Sequence, residues 1–500
     1  MPNDPAVPGT AFFGHPRGLA TLFFTEFFER FSFYGGRALL MLFLTAAIAR
    51  GGLGIDTESA GAIYGLYAGA LYLFCLPGGW VADRLLGQRD SVLYGGLLIA
   101  AGNFMLAIPA SMSFYLGLIV VALGTGMLKP NISSMVGALY HGQPGTRRDA
   151  GFSIFYMGIN LGGAIAPLVA GGIGETLGYR WGFATAGAAM LIGAIQYRLT
   201  TRHLGTAGLR PADSSPAERR TSARWLVGGL ALIAGAIGAV ASGLVAVDAQ
   251  QLAGMLGQFM GVLAFVFFGS VLLFGGLDIT DRKRVGVIVI FFFCASLFWA
   301  GFEQAATTFN LFARDLTDRS LFGRFFEAHE HPASWYQAVN PLFIIILSPF
   351  FAWIWIALGR RNLDPSAPVK FGIGLALLGI GFGTLAIAAT WIVANGGQVG
   401  PQWLLLTYLL HTTGELCVSP IGLSNVTKLA PSRYSSQMMG TWFLGTAVGN
   451  LAAGRIGGHL GGDVALMPAG FLRITAICVG AGLLMFLLSP VLKRWMGGIR

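Results

Sequence analysis

The sequence predicts an all-α, polytopic membrane protein of fourteen spans, and three observations predict it. The first is composition: of 500 residues, 55% are hydrophobic and 11% charged, with 74 glycines and 38 phenylalanines, too little polar surface for a water-soluble fold of this length. The second is length of run. Apolar stretches that can cross ~30 Å of hydrocarbon, each roughly 20 residues as helix, recur from one end of the chain to the other. The third is their continuity. Backbone groups in lipid are satisfied by helices or by closed barrels, and these runs lack the period-2 alternation of a barrel strand, so they are helices.

In order, the expected spans are 19–49, 60–82, 91–109, 112–137, 151–173 and 180–200, a six-helix half. The stretch from Arg202 to Arg224, rich in Arg, Pro and Ser, reads as an exposed connection. Runs at 225–246 and 252–276 carry few polar groups and read as a peripheral, lipid-facing pair. Six more spans follow at 286–312, 336–358, 370–394, 402–429, 436–459 and 470–492. The expected domains are therefore 1–201, a connecting segment 202–285 and 286–500. An even number of crossings puts both termini on one side.

That side is expected to be cytoplasmic. The net charge of +10 is not gathered into a nucleic-acid-binding arm. It lies in loops on one face, which hold Arg84, Arg89, Arg147, Arg148, Arg282, Lys283, Arg284, Arg360, Arg361, Lys370, Lys493 and Arg494. The opposite loops are sparse in Lys and Arg, the asymmetry of an inner-membrane protein. No nucleic-acid partner is expected. The first apolar run contains charged residues, so no cleavable signal peptide is expected either. Cys75, Cys294, Cys417 and Cys478 fall inside apolar runs and read as buried thiols.

A weak internal repeat relates the halves. Phe155-Tyr156-Met157-Gly158 followed by Gly162 is similar to Trp442-Phe443-Leu444-Gly445 followed by Gly449, and the same offset of 287 carries Lys129 to within one position of Glu415. Glycines at i and i+4 allow close helix approach, although such matches also arise by chance in glycine-rich helices. Two related halves that meet at the midplane are a common way to build a transport site.

Charged side chains inside the spans carry the functional reading, because each costs several kcal/mol at membrane depth unless it has a partner or a purpose. Glu26, Glu29, Arg30 and Arg37 stand three, one and seven residues apart on one helical stripe with Phe33 and Tyr34. The stripe faces a wet interior, or else forms local Glu–Arg pairs that hold the helix to its neighbours. Lys129, Glu303 and Glu415 are isolated charges in later spans. Electroneutrality suggests Arg37 with Glu303 and Lys129 with Glu415, pairs that protonation of an acid would weaken. Tyr72, Tyr156, Asn160, Trp299, Gln304, Asn340, Ser419 and Trp442 accompany these charges. Trp299 precedes Glu303 by four and Tyr156 precedes Asn160 by four, so each pair shares a face. Opposite charges, amides and aromatic walls suit a small zwitterion of variable side chain.

The loop from Gly79 to Arg89, with Asp83 and Arg84 at its centre, resembles the G-x-x-x-D-R-x-x-G-x-R loop of the major facilitator superfamily and reads as a conformational latch. Further motifs narrow the resemblance. Glu26 to Arg37 resembles the E-x-x-E-R signature, with trailing Tyr and Arg, of the proton-dependent oligopeptide transporters. Leu128-Lys129-Pro130-Asn131, Phe155 to Gly162, Phe302-Glu303-Gln304, Asn340-Pro341, Gly414-Glu415-Leu416 with Ser419-Pro420, and Trp442 are similar to later motifs of that family and occur in its order. The resemblance implies a major facilitator fold, two six-helix bundles with two extra helices between them, and proton-coupled uptake of di- and tripeptides across the bacterial inner membrane by a monomer, with the proton gradient in place of any cofactor. It implies that Glu26, Glu29 and Arg30 take part in coupling and that Glu303 is a protonation site paired with Arg37. It further implies that Arg37 and Lys129 approach the peptide carboxylate and that Asn160, Asn340 and Glu415 approach the amino end. Tyr34, Tyr72, Tyr156, Trp299 and Trp442 would line side-chain pockets, with Ser419 nearby. Phe33 departs from the family, in which many members carry a second Tyr, and leaves peptide preference open.

Arg50 lies thirteen residues past Arg37 and Asp315 twelve past Glu303, about 18–20 Å farther along their helices. They are expected to form an outer gate pair or to be two solvated loop charges. A facilitator for another small substrate, such as nitrate or a drug, is the alternative function. An enzyme is disfavoured: His329-Glu330-His331 offers zinc ligands without the i, i+4 spacing of a helical site, and no Walker loop is present.

Overall fold

The computed structural model describes residues 10–143, 145–209 and 216–497. Fourteen long helical segments occur among them. The first six are α1 (Arg17–Thr45), α2 (Thr57–Leu86), α3 (Gln88–Ala107), α4 (Ser111–Ala138), α5 (Thr146–Thr176) and α6 (Tyr179–Thr200). Next come α7 (Pro216–Ala241) and α8 (Ala249–Phe274). The last six are α9 (Ile279–Leu316), α10 (Ala333–Arg360), α11 (Ala367–Asn395), α12 (Gln402–Leu429), α13 (Ser435–Gly461) and α14 (Met467–Trp495). Ten of these are long and apolar enough to cross a membrane. The other four, α1, α6, α12 and α13, reach 29, 22, 28 and 27 residues, enough to span, but carry more polar groups. A short hairpin, β1 (Thr10–Phe12) with β2 (His15–Pro16), precedes α1.

The expected spans differ from these helices chiefly at their ends. The first stops at Thr45, short of 49, where a single 3-10 turn, Ile48–Arg50, takes over. The connection after α6 is less exposed than expected. Leu204 and Ala207 are buried, and α7 already begins at Pro216, so Arg219, Arg220 and Arg224 lie on a helix. A proline costs nothing in the first turn, where its missing N–H would be unbonded in any case. Residues 210–215 of that connection lie outside the described residues. Of the middle pair, α7 is exposed along its apolar length, as expected of a lipid-facing helix, whereas α8 buries the stripe Ala253, Met260, Ala264, Phe268 and Val271. Ala253 packs with Ala62 and Leu451 of α2 and α13.

The helices divide into two compact units, Met1–Leu39 with Leu73–Val247 and Leu40–Tyr72 with Asp248–Arg500. In the first unit, the predicted glycine pair of α5 seats that helix on α1. A Cβ at Gly158 would meet the Phe23 ring at 2.9 Å, and one at Gly162 would meet Arg30 Cβ at 3.0 Å. In the second unit, the matching pair of α13 seats it on α9: Gly445 against Phe292 at 3.1 Å and Gly449 against Trp299 Cβ at 2.6 Å. The repeat seen in sequence is thus a repeated helix contact, made by hydrogen in place of a side chain.

Three helices are interrupted. α2 has an irregular turn at Phe74 and ends in a π turn, Ala82–Leu86. α5 carries a π turn at Pro167–Gly171. α9 breaks at a 3-10 turn, Glu303–Ala306, before resuming at Thr308. Irregular backbone at membrane depth is tolerated where protein satisfies it, and such turns concentrate at functional sites.

Candidate functional site

In the first unit the α1 stripe is buried. Glu26, Glu29, Arg30 and Arg37 are 3%, 1%, 6% and 6% exposed, so ionic partners must replace water. Arg30 supplies them. Its Nε pairs with Glu29, its second nitrogen donates to Glu29 Oε1 at 2.6 Å, and its Nε lies 3.3 Å from Glu26 Oε1. One guanidinium thus serves two carboxylates, and among the described residues the buried Glu26 Oε2 atom has no hydrogen-bond partner. The local-pair reading therefore holds for Arg30. Phe33 packs 5.0 Å under the Arg30 guanidinium, and Tyr34 lies 5.6 Å from that of Arg37, so the phenylalanine that departs from the family pattern retains a cation–π role.

Lys129 is half-buried on α4 beside Pro130, and Asn160 is buried with its amide donating to Tyr156 O at 3.0 Å. The Tyr156 ring itself is exposed. The expected loop is largely helical: Asp83 and Arg84 are exposed on the π turn that ends α2. The anchor there is Arg89: it donates to Ala207 O at 2.6 Å and to Gly205 O, and its own N–H reaches Gly208 O at 3.0 Å. Gly87 has φ 81°, a left-handed conformation that glycine adopts without strain.

The second unit holds the two isolated acids, Glu303 and Glu415. Glu303 is 6% exposed at the break of α9, and Tyr64 Oη, on α2 and 2% exposed, donates to its Oε2 at 3.5 Å. Tyr72, expected in a side-chain pocket, is half-buried on the same helix. Gln304 completes the break. It is fully buried, donates to Ala300 O at 3.1 Å and Ala453 O at 3.0 Å, and accepts from Thr307 at 3.2 Å and Thr308 at 2.6 Å. One side chain thus satisfies groups released by the turn and ties α9 to α13, so Gln304→Leu, which keeps the volume and removes every bond, should lower the thermal midpoint of the purified protein by several degrees. An unchanged midpoint in a fluorescence melting curve would refute that role.

Asn340, at the start of α10, donates to Thr412 Oγ1 at 2.9 Å and to Glu415 Oε2 at 3.0 Å, so two of the three residues expected at the amino end meet. Among the described residues, Ser419 Oγ and Trp299 Nε1 are buried without hydrogen-bond partners. Trp442, expected in a pocket wall, is 7% exposed and packs its indole over Gly422 and edge-on to Phe371. Arg37 and Lys129 belong to the first unit, and Glu303 and Glu415 to the second.

The expected Arg50–Asp315 pair is not formed. Arg50 is exposed and makes no ion pair among the described residues, while Asp315 is taken by its neighbour Arg314 at 2.7 Å. Arg314 also donates to Thr45 Oγ1 at 2.9 Å. Equal depth along two helices set the expectation, but an adjacent guanidinium is always nearer. Arg50→Ala should leave transport by the protein in proteoliposomes within about twofold of the parent, as surface charges contribute little; a larger loss would restore the gate. Of the histidine motif, Glu330 pairs with Arg319, and His331 Nδ1 lies 2.6 Å from Arg319 O.

A family model described as the POT family matches residues 89–459. The chain is 42% identical to a peptide transporter of Yersinia enterocolitica subsp. palearctica, over 97% of this chain and 96% of that one. It is 37% identical to a di-/tripeptide transporter of Lactococcus lactis subsp. cremoris, over 98% of each. Among solved structures, a peptide transporter POT in complex with sulfate superposes with TM-score 0.88 at 38% identity, covering 98% of this chain and 97% of that one. A POT family transporter in complex with 5-aminolevulinic acid gives 0.87 at 32% identity, covering 97% and 99%.

Proposed function

The chain belongs to the POT family of transporters, and from that premise we propose that it is a proton-coupled symporter that imports di- and tripeptides by alternating access. One observation carries the reading to this chain's own residues: a buried carboxylate, Glu303, sits at the break of a spanning helix with a tyrosine hydroxyl as neighbour. A group so placed has a discrete neutral state and a discrete charged state, and a helix break next to it gives the backbone two arrangements to exchange.

In this reading, protonation of Glu303 releases Arg37, and the Glu26–Glu29–Arg30 trio holds or passes a second charge. Arg37 and Lys129 take the peptide carboxylate. Asn160, Asn340 and Glu415 take its amino group, supported by the Asn340–Glu415 bond. Tyr34, Tyr72, Tyr156, Trp299 and Trp442 border the side chains, Ser419 offers a donor, and Asp83 with Arg84 latches one state. The bundles are 1–201 and 286–500, joined by 202–285. The excess of Lys and Arg in one set of loops supports a bacterial inner membrane with both termini cytoplasmic, a monomer is sufficient for transport, and the proton gradient is the energy source.

Dialanine uptake into proteoliposomes with an imposed pH gradient tests the proposal. Accumulation above the external concentration, abolished by a protonophore and competed by unlabelled tripeptide, is the expected result. Uptake indifferent to the gradient, or competed by nitrate and not by peptides, would point to the alternative cargo.

A further inference from the structure

Within the second unit, a cavity of about 620 Å³ opens where α2 and α8 begin, α13 ends and α14 begins. Two arginines enter it from adjacent helices. Arg455 lies six residues before the end of α13 and Arg473 six residues after the start of α14, so each stands ~9 Å in from its helix end. Both are exposed, and among the described residues neither makes an ion pair or a hydrogen bond. About one to two turns in from the helix ends, a guanidinium stands near headgroup depth, where it gains by meeting an anion.

The chain's own acid does not serve. Glu58 at the mouth is engaged by His459 Nδ1 at 3.1 Å and faces Gln250 Nε2 at 3.5 Å. Below the arginines the wall becomes apolar: Ala452 on α13 and Ile474 and Ile477 on α14 continue the lining, and Ile477 follows Arg473 by one turn toward the membrane interior. Gly254 on α8 leaves room for the Arg455 guanidinium, which would lie 3.6 Å from a Cβ there. From mouth to floor the cavity offers a polar pair, two cations and hydrocarbon, the order of groups along a phospholipid.

We propose that this cavity holds an anionic phospholipid, with its phosphodiester between Arg455 and Arg473 and an acyl chain along Ile474 and Ile477. The phosphate gives each guanidinium the charge-assisted bonds that the protein does not, and the lipid binds α8 to α13 and α14 at one membrane face. The inference rests on the membrane placement of the helices and not on the nature of the cargo.

Native mass spectrometry of the purified, delipidated full chain tests it, with phosphatidylglycerol and phosphatidylcholine added at equal concentration. Phosphatidylglycerol should be retained preferentially, and Arg455→Gln with Arg473→Gln should weaken retention about fivefold for each arginine replaced. Arg360→Gln with Arg361→Gln, at the end of α10 and outside the cavity lining, should leave retention unchanged. Should the double variant aggregate, Arg473→Gln alone is read in the same way, since this side chain is exposed. Equal retention of the two lipids, or undiminished phosphatidylglycerol binding by the variant, overturns the proposal. So does displacement of the lipid by millimolar inorganic phosphate, which would mark a soluble-anion site.

Discussion

Glu303→Gln is expected to abolish uphill accumulation of dialanine in proteoliposomes while leaving exchange between equal peptide pools intact. The glutamine keeps the size and hydrogen-bonding capacity of the carboxyl group, so it resembles the protonated acid and can no longer cycle. One proton moving down one pH unit supplies about 1.4 kcal/mol, enough for about tenfold accumulation of a coupled neutral solute. The parent should therefore approach that ratio for each coupled proton, and the variant should stay near one. Exchange needs the carrier to reorient loaded, not to change charge, so it survives. The hydroxyl of Tyr64 can still bond the amide, which protects the local packing and keeps a loss of folding from imitating a loss of coupling. Persistent tenfold uptake by the variant would remove Glu303 from the coupling scheme, and loss of exchange as well would assign it a structural role.

The physical features that could be read in sequence are those that depend on neighbours along one helix. Span positions follow from apolar length. The Glu26, Glu29 and Arg30 cluster follows from spacing, and its bonds are made within one turn of α1. The glycine pairs of α5 and α13 follow from an i, i+4 rule and do seat their helices. Features that depend on a distant partner were hidden. The break at Glu303 is held by Gln304 reaching Ala453, 149 residues away, although the Thr307-Thr308 pair three and four residues after Gln304 was a local hint that this amide would turn back on its own helix. Tyr64 meets Glu303 across 239 residues, and no periodicity distinguishes it from Tyr67 or Tyr72. Arg50 and Asp315 failed as a pair because equal depth says nothing about the direction in which each side chain leaves its helix. The slot over Gly422 that takes the Trp442 indole likewise depends on a second helix, and no period along α13 foretells it.

Gly454→Leu is expected to have the other large effect, on stability and transport together. In the second unit α2 crosses α13 with almost no side chains between them. A Cβ at Gly61 would overlap the Gly454 carbonyl oxygen, a Cβ at Gly454 would overlap that of Gly61, and Gly458 lies against Glu58 Cα at 2.9 Å. Between packed helices the neighbour is backbone, which cannot rotate away, so four added carbons must push the helices apart. That separation removes dispersion contacts along the whole crossing, including those of Ala62 and Leu451 with α8. It also moves Tyr64, one turn below Gly61 on α2, away from Glu303 on α9, because Gly449 and Gly457 hold α13 to α9 at Trp299 and Thr307. Overpacking of a core by this amount costs about 1–3 kcal/mol or more, so the thermal midpoint should fall by about a degree for each kcal/mol lost, and gradient-driven uptake should drop at least tenfold. Gly440→Leu, where nothing lies within 4 Å of an added Cβ, serves as the control on the same helix and should change neither. If Gly454→Leu melts with the parent and transports at its rate, the α2–α13 crossing is not a contact on which the transporting form depends.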